Sequence, residues 1–132
     1  NKKTRKIGLT AIIALIIGAL ITNVCLKNMV ARIRPYDRYS DIIPLIAKPK
    51  DFSFPSGHTG SAFAVSTVML LCMPAKYGVT AVVVSTLIAF SRLYNAAHYP
   101  TDVLTGMVIG ILTGVIASCI YKKYSKKHDL GE

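Results

Sequence analysis

Four apolar runs, separated by short polar or basic stretches, set the pattern of the chain: Ile7 to Leu26, Thr59 to Ala75, Tyr77 to Phe90 continuing towards Tyr94, and Val103 to Ile120. At 1.5 Å of helical rise per residue, each is about the length that crosses a hydrocarbon core of ~30 Å, the second and third only marginally. The pattern predicts helices over 7–26, 59–75, 77–94 and 103–120. Spans two and three form a tight hairpin around Pro74-Ala75-Lys76, whereas spans one and two are joined by a long connection, 27–57. Pro35, Pro44, Pro49 and Pro55 exclude a single helix through that connection. The expected fold is therefore all-α, a polytopic transmembrane helix bundle forming one domain over residues 1–132. Span four carries Gly106, Gly110, Gly114 and Ser118 at four-residue intervals, a stripe of small residues suited to close helix packing, within the molecule first and in a dimer as the alternative.

Composition agrees with membrane residence. Hydrophobic residues make up 52% of the chain and the mean hydropathy is +0.47, too apolar for an ordinary soluble domain of this size. The first run is too long for a signal peptide, and no small-residue cleavage site follows it. Tyr36, Tyr39, Tyr94 and Tyr99 fall at one set of span ends, and Tyr77, Tyr121 and Tyr124 at the other, as in an aromatic belt. Cys25, Cys72 and Cys119 are odd in number, lack CxxC spacing and lie in or beside apolar runs. They read as small buried hydrophobes, not as a disulfide framework or a metal site.

The net charge of +10 would suit nucleic acid if it were gathered on one soluble face, and it is not. Lys2, Lys3, Arg5 and Lys6 precede span one, Lys76 sits between spans two and three, and Lys122, Lys123, Lys126 and Lys127 follow span four. An even number of spans places these groups on one side, which the positive-inside rule makes cytoplasmic, with both termini. Membrane lipid, and not nucleic acid, is the expected surrounding. Lys27, Arg32, Arg34, Arg38, Lys48, Lys50 and Arg92 then face outward, against the rule unless they have a task. A site for an anion would supply one; contact with lipid headgroups is the plainer alternative.

The candidate chemistry lies at those outer ends. In Ser91-Arg92-Leu93-Tyr94-Asn95-Ala96-Ala97-His98-Tyr99-Pro100-Thr101-Asp102, ionisable groups crowd between two apolar runs where they are expensive to keep. Pro100 suits a first helical turn, which puts Asp102 in that turn and His98 just outside it. The Asp102 carboxylate is then placed to accept a hydrogen bond from one ring nitrogen of His98, freeing the other lone pair to attack an electrophile. A capped helix start with a loop histidine is the simpler reading of this stretch alone. Lys27 and Arg34 are seven residues apart and share a face if the helix persists to Pro35. Phe54-Pro55-Ser56-Gly57-His58 opens span two, with Ser56 a credible N-cap and Gly57 allowing backbone to approach a ligand. Topology brings all of these to the outer end of the bundle: two histidines, three cations, a carboxylate and a glycine-containing helix start. Such convergence points to an oxyanion site.

These residues resemble the phosphatidic acid phosphatase type 2 superfamily, the lipid phosphate phosphatases. Its three-part signature reads here as Lys27-x6-Arg34-Pro35, Pro55-Ser56-Gly57-His58 and Ser91-Arg92-x5-His98-x3-Asp102, complete and in order. The resemblance implies that His98 is the nucleophile of a phosphohistidine, Asp102 its orienting carboxylate and His58 the general acid. It implies that Lys27, Arg34, Arg92, Ser56 and Gly57 hold the phosphoryl oxygens, with no metal and no cofactor, at an extracytoplasmic site in the plasma membrane. The implied substrates are phosphatidylglycerol phosphate, phosphatidic acid or undecaprenyl pyrophosphate. Transfer to an alcohol in place of water is the alternative reaction, and a non-catalytic binder of anionic lipid the alternative class. Membrane members of the family have a six-helix core with two spans before the lysine-bearing element. One span precedes Lys27 here, so the chain is expected to be the C-terminal part of such a core, with segments missing before Asn1.

Overall fold

A computed structural model describes residues 1–129. The end of the basic tail, 130–132, and the side chains of 127–129, His128 among them, lie outside the described residues. Helix α1, Lys2–Ala19, starts where the Asn1 side chain accepts the Lys3 N–H at 2.9 Å. It runs on without a break through a wider winding at Leu20–Leu26, where the Lys27 N–H reaches back five residues to the Thr22 carbonyl, and ends as α2, Lys27–Val30. Ala31 stops it in the left-handed conformation, φ 49°, and the four-residue α3, Pro35–Arg38, starts on its proline. The condition under which Lys27 and Arg34 would share a helix face, a helix persisting to Pro35, is therefore not met. The left-handed turn intervenes, and Arg34, preceding a proline, is extended at φ −71°, ψ 153°.

Helix α4, Gly57–Cys72, is capped by Ser56 and stops short of Pro74. Helices α5, Ala75–Tyr94, and α6, Pro100–Asp129, complete the chain. The order is all-helical among the described residues, as expected. The α1–α2 rod, α5 and α6 are each long and apolar enough to cross a membrane, whereas α4, at 16 residues, is the short one.

That short helix is the axis of the molecule. It buries Thr59, Gly60, Phe63, Ala64, Ser66, Thr67 and Val68, and α1, α5 and α6 all pack on it. The outer helices bury little: Ile7, Thr10, Ala14 and Gly18 from α1, and Gly78, Ser85 and Ala89 from α5. Their large apolar residues, such as Leu9, Ile13, Leu87, Phe90 and Leu112, face outward, the arrangement of helices solvated by lipid. Without a hydrophobic drive between helices, close packing decides where they meet. The small-residue stripe of α6 lies directly on α4. A Cβ on Gly114 would sit 2.7 Å from Thr67 Cβ and 2.8 Å from the Ala64 carbonyl, one on Gly110 would strike the Gly60 carbonyl, and one on Gly106 the Ser56 carbonyl. The stripe serves intramolecular packing, as read from the sequence. On the other flank, Ser85 Oγ of α5 donates to the Ala62 carbonyl of α4 at 2.9 Å.

Candidate active site

The N-terminus of α4 and the start of α6 meet at one end of the bundle. The Ser56 N–H donates to the Asp102 carbonyl at 3.0 Å, and the connection before α4 folds over both, the Ser53 N–H donating to the Arg32 carbonyl at 2.8 Å. Beside this junction is a cavity of about 640 Å³ between α1, α4 and α5. Lys27, Arg34, Gly57, His58, Arg92 and His98 line its polar end, and Leu15, Val65 and Ile88 its deeper, apolar part.

His98 is buried, and its ring is held at both nitrogens. Nδ1 lies 2.7 Å from the Ser53 carbonyl. A carbonyl only accepts, so Nδ1 carries the proton and Nε2 keeps its lone pair. Nε2 points to Arg34 Nη1 at 3.3 Å, and the same Nη1 donates to the Ala97 carbonyl at 2.8 Å. Ala96, at φ 50°, turns the chain between α5 and α6 and so aims that carbonyl.

Asp102 is fully buried in the first turn of α6. The expected direct hydrogen bond to His98 is not made: Oδ2 stands 3.8 Å from Nδ1, at ion-pair distance, because the Ser53 carbonyl occupies the ring's donor. The carboxylate instead accepts from Ser53 Oγ at 2.5 Å and the Tyr99 N–H at 2.9 Å through Oδ2, and from Arg32 Nη1 at 2.7 Å through Oδ1. Arg32 also donates to Thr101 Oγ1 at 2.7 Å and stacks 3.9 Å over the Tyr99 ring. Ser53 thus joins the two partners, its carbonyl accepting a hydrogen bond from the His98 Nδ1–H and its hydroxyl donating one to the Asp102 carboxylate.

The other expected residues divide. Lys27 and Arg34 meet in the cavity despite the break between them, through Asp51, which pairs with Lys27 Nζ and with Arg34 Nη2 at 2.6 Å. Burial raises the Asp51 pKa, but hydrogen bonds and charge from Lys27 and Arg34 outweigh it and hold the carboxyl below its ordinary value. Arg92 has no carboxylate partner among the described residues; its Nε donates to Ser91 Oγ at 3.2 Å. His58 faces the cavity with no hydrogen bond among the described residues. Ser56 is the exception. It is fully buried and spent as the N-cap, its Oγ 2.9 Å from Thr59 Oγ1 and 3.5 Å from the Thr59 N–H, and it does not line the cavity.

A family model described as the PAP2 superfamily matches residues 8–126. The chain belongs to the PAP2 superfamily. Among its PAP2-type relatives, the undecaprenyl-diphosphatase of Sulfolobus acidocaldarius is 33% identical over 109 residues, 83% of this chain and 52% of that protein. The undecaprenyl-diphosphatase of Bacillus subtilis is 37% identical over 120 residues, 88% of this chain and 58% of that protein. The chain thus spans a little over half the length of these curated relatives. The crystal structure of a transmembrane PAP2 type phosphatidylglycerolphosphate phosphatase from Bacillus subtilis superposes with a TM-score of 0.73 at 28% identity, over 88% of this chain and 59% of that one. LpxE of Aquifex aeolicus gives 0.70 at 28% identity, over 88% and 67%. With three long apolar helices and these neighbours, the PAP2 chain is a multi-pass membrane protein.

Sequence reasoning missed Ser53, Asp51 and the specific task of Arg32. Arg32 was among the outward basics that needed one. Asp51 is the only acid between Asp41 and Asp102, set among lysines and arginines, which is a usable signal. The Ser53 carbonyl left none.

Proposed function

We propose that this chain carries the catalytic machinery of a membrane lipid phosphatase, hydrolysing a lipid phosphate monoester or pyrophosphate through a phosphohistidine on His98. The observation that carries the reading is the fixed tautomer of His98: Nδ1–H is tied to the Ser53 carbonyl, and the Nε2 lone pair is turned towards Arg34 in a cationic cavity. Nε2 attacks phosphorus and the bond to the leaving oxygen breaks. His58, facing the same cavity, gives that oxygen a proton. Lys27, Arg34 and Arg92, with the unpaired N–H groups at the start of α4, hold the phosphoryl oxygens as charge shifts onto them. Asp102, saturated by Arg32, Ser53 and the Tyr99 N–H, anchors the frame around the nucleophile and balances the imidazolium at 3.8 Å. Water, deprotonated by His58, then cleaves the phosphorus–nitrogen bond, releasing phosphate and restoring His98. The apolar depth of the cavity suits a lipid tail.

The names of the relatives favour a polyprenyl pyrophosphate, ahead of phosphatidylglycerol phosphate or phosphatidic acid. Orientation follows the charges. Lys2, Lys3, Lys6 and Lys122 lie at the end of the bundle away from the site, so that end is cytoplasmic and the site extracytoplasmic.

The test is phosphate release from a panel of lipid phosphates in detergent with EDTA present, comparing the wild type with His98→Ala. Turnover by the wild type and a loss of several orders of magnitude in the variant are expected. Undiminished release by His98→Ala would remove the nucleophile. Phosphorylated alcohol formed when acceptors are added would redirect the reading to a phosphotransferase.

A further inference from the structure

Asp51 has no part in the reaction as derived, yet it takes the two cations that the substrate needs. One carboxylate oxygen pairs with Lys27 Nζ and the other with Arg34 Nη2. Arg34 spans the gap: Nη2 holds Asp51 while Nη1 stands 3.3 Å from His98 Nε2. An anion bridging Lys27 and Arg34 there is held by the same guanidinium whose other nitrogen faces the proposed nucleophile, so a phosphoryl group brought to His98 draws on the same two cations. The side chain lines the cavity and is half exposed to it, 51%, although both of its cations are buried, at 8% and 4%. The carboxylate is therefore the removable partner and the cations the fixed ones. Backbone keeps it nearby, since Arg34 Nε also donates to the Asp51 carbonyl at 3.0 Å.

We propose that Asp51 is a tethered competitor for the phosphoryl seat, yielding Lys27 and Arg34 when a phosphate binds and recapturing them when inorganic phosphate leaves. It rests on the reading of this cavity as the phosphate site. The physical need is evident from the charges. Two buried cations without an anion are expensive in the empty state, and three cations around the product phosphate would hold it back. A built-in carboxylate reduces both costs, and it sets a threshold that only an anion with more oxygens and more charge than a carboxylate passes. Asp51 thus weakens phosphate binding and quickens product release, in the manner of a binding-determining residue that never meets the reacting atoms.

Inorganic phosphate is the probe. In detergent-solubilised full-length protein, phosphate affinity is read from ligand-induced thermal stabilisation for the wild type, Asp51→Asn and Asp51→Glu. Removing a negative charge about 4 Å from the incoming anion in a partly screened cavity corresponds to about tenfold tighter phosphate binding, or more, in Asp51→Asn. Asp51→Glu, which keeps the charge, is expected to stay near the wild type. Carboxyl labelling of the wild type by carbodiimide and an amine, read by mass spectrometry, needs no variant. Saturating phosphate is expected to raise the labelling of Asp51 by freeing it. Phosphate affinity unchanged or weaker in Asp51→Asn, or Asp51 labelling unchanged or lowered by phosphate, overturns the proposal; where the variant does not fold, the labelling decides. The failure of the parent reading looks different: no lipid phosphate is turned over, while the phosphate affinities and the labelling still decide the role of Asp51.

Discussion

Gly106→Ala is expected to push α6 away from α4 at the point where both enter the site. The added Cβ falls well inside contact distance of the Ser56 carbonyl oxygen, with the Ser56 carbonyl carbon at 3.3 Å and the Gly60 nitrogen at 3.4 Å. All three are backbone atoms, and none can rotate aside. The helices must separate by about an ångström, and overpacking of this kind costs ~1–3 kcal/mol. The same shift loosens the hydrogen bond from the Ser56 N–H to the Asp102 carbonyl, 3.0 Å long, for about 1 kcal/mol more. His98 and Asp102 precede Gly106 on the moving segment, so turnover falls as well, by about a hundredfold for ~1 Å of misplacement. Gly114→Ala separates the two effects. Its Cβ also falls inside contact distance, 2.7 Å from Thr67 Cβ and 2.8 Å from the Ala64 carbonyl, but it lies about 18 Å along the helix from Asp102. Similar destabilisation is expected there with near-normal kcat. Gly8→Ala, with nothing among the described residues within 4 Å, is the control for alanine itself. Unfolding by detergent titration and kcat on the best lipid phosphate provide the readouts. Equal kcat in the Gly106 and Gly114 variants, or stability of either matching the Gly8 control, refutes the reasoning.

Other outcomes follow from single contacts. Ser53→Ala keeps the carbonyl that fixes His98 but loses the hydroxyl on Asp102, so kcat is expected to fall about tenfold, far less than in His98→Ala; equal losses in the two variants would contradict the division of labour. Arg32→Met leaves a fully buried carboxylate without its cation and is expected to cost about 2 kcal/mol of stability, measured by the same detergent titration. Ser118 Oγ is buried with no partner among the described residues, and Ser118→Ala is expected to be neutral or to stabilise by about 1 kcal/mol, a melting temperature several degrees lower counting against it. Because the Asp51 carboxyl is held below its ordinary value, its stabilising contribution is complete above the unfolded pKa of about 4 and is lost as pH falls through the folded value. Melting curves from pH 3 to 7 are thus expected to show less acid sensitivity in Asp51→Asn than in the wild type, and parallel curves would contradict this.

The legible parts of the molecule were those written in period and spacing. Hydropathy marked the apolar helices α1, α4, α5 and α6, and the glycine interval in α6 announced a close approach, because apolar length and small-residue stripes are local properties. The three signature blocks reached one end of the bundle because alternating spans leave them nowhere else to go. What stayed hidden was how the polar connection pairs with itself and with α6. Ser53 and His98 are 45 residues apart, and their bond uses a carbonyl that every residue owns, so no side-chain pattern marks it. The Asp102–His98 hydrogen bond was the natural expectation from four-residue spacing, and a nearer acceptor displaced it. Ser56 was read twice, as a cap and as a phosphate ligand, when one hydroxyl had only the first role to fill.

The shortness of α4 bears on how such a protein is made. Sixteen residues rise about 24 Å, less than the ~30 Å of a hydrocarbon core, and the helix carries Thr59, Ser66 and Thr67 inward. It is poorly suited to standing alone in lipid, and its principal wall is α6, which follows it in the chain. Two residues of the candidate site, His98 and Asp102, lie just before and within the first turn of that same helix. Completion of the candidate site and burial of the central helix are therefore one event, and a nascent bundle halted before α6 has neither a finished interior nor an assembled site.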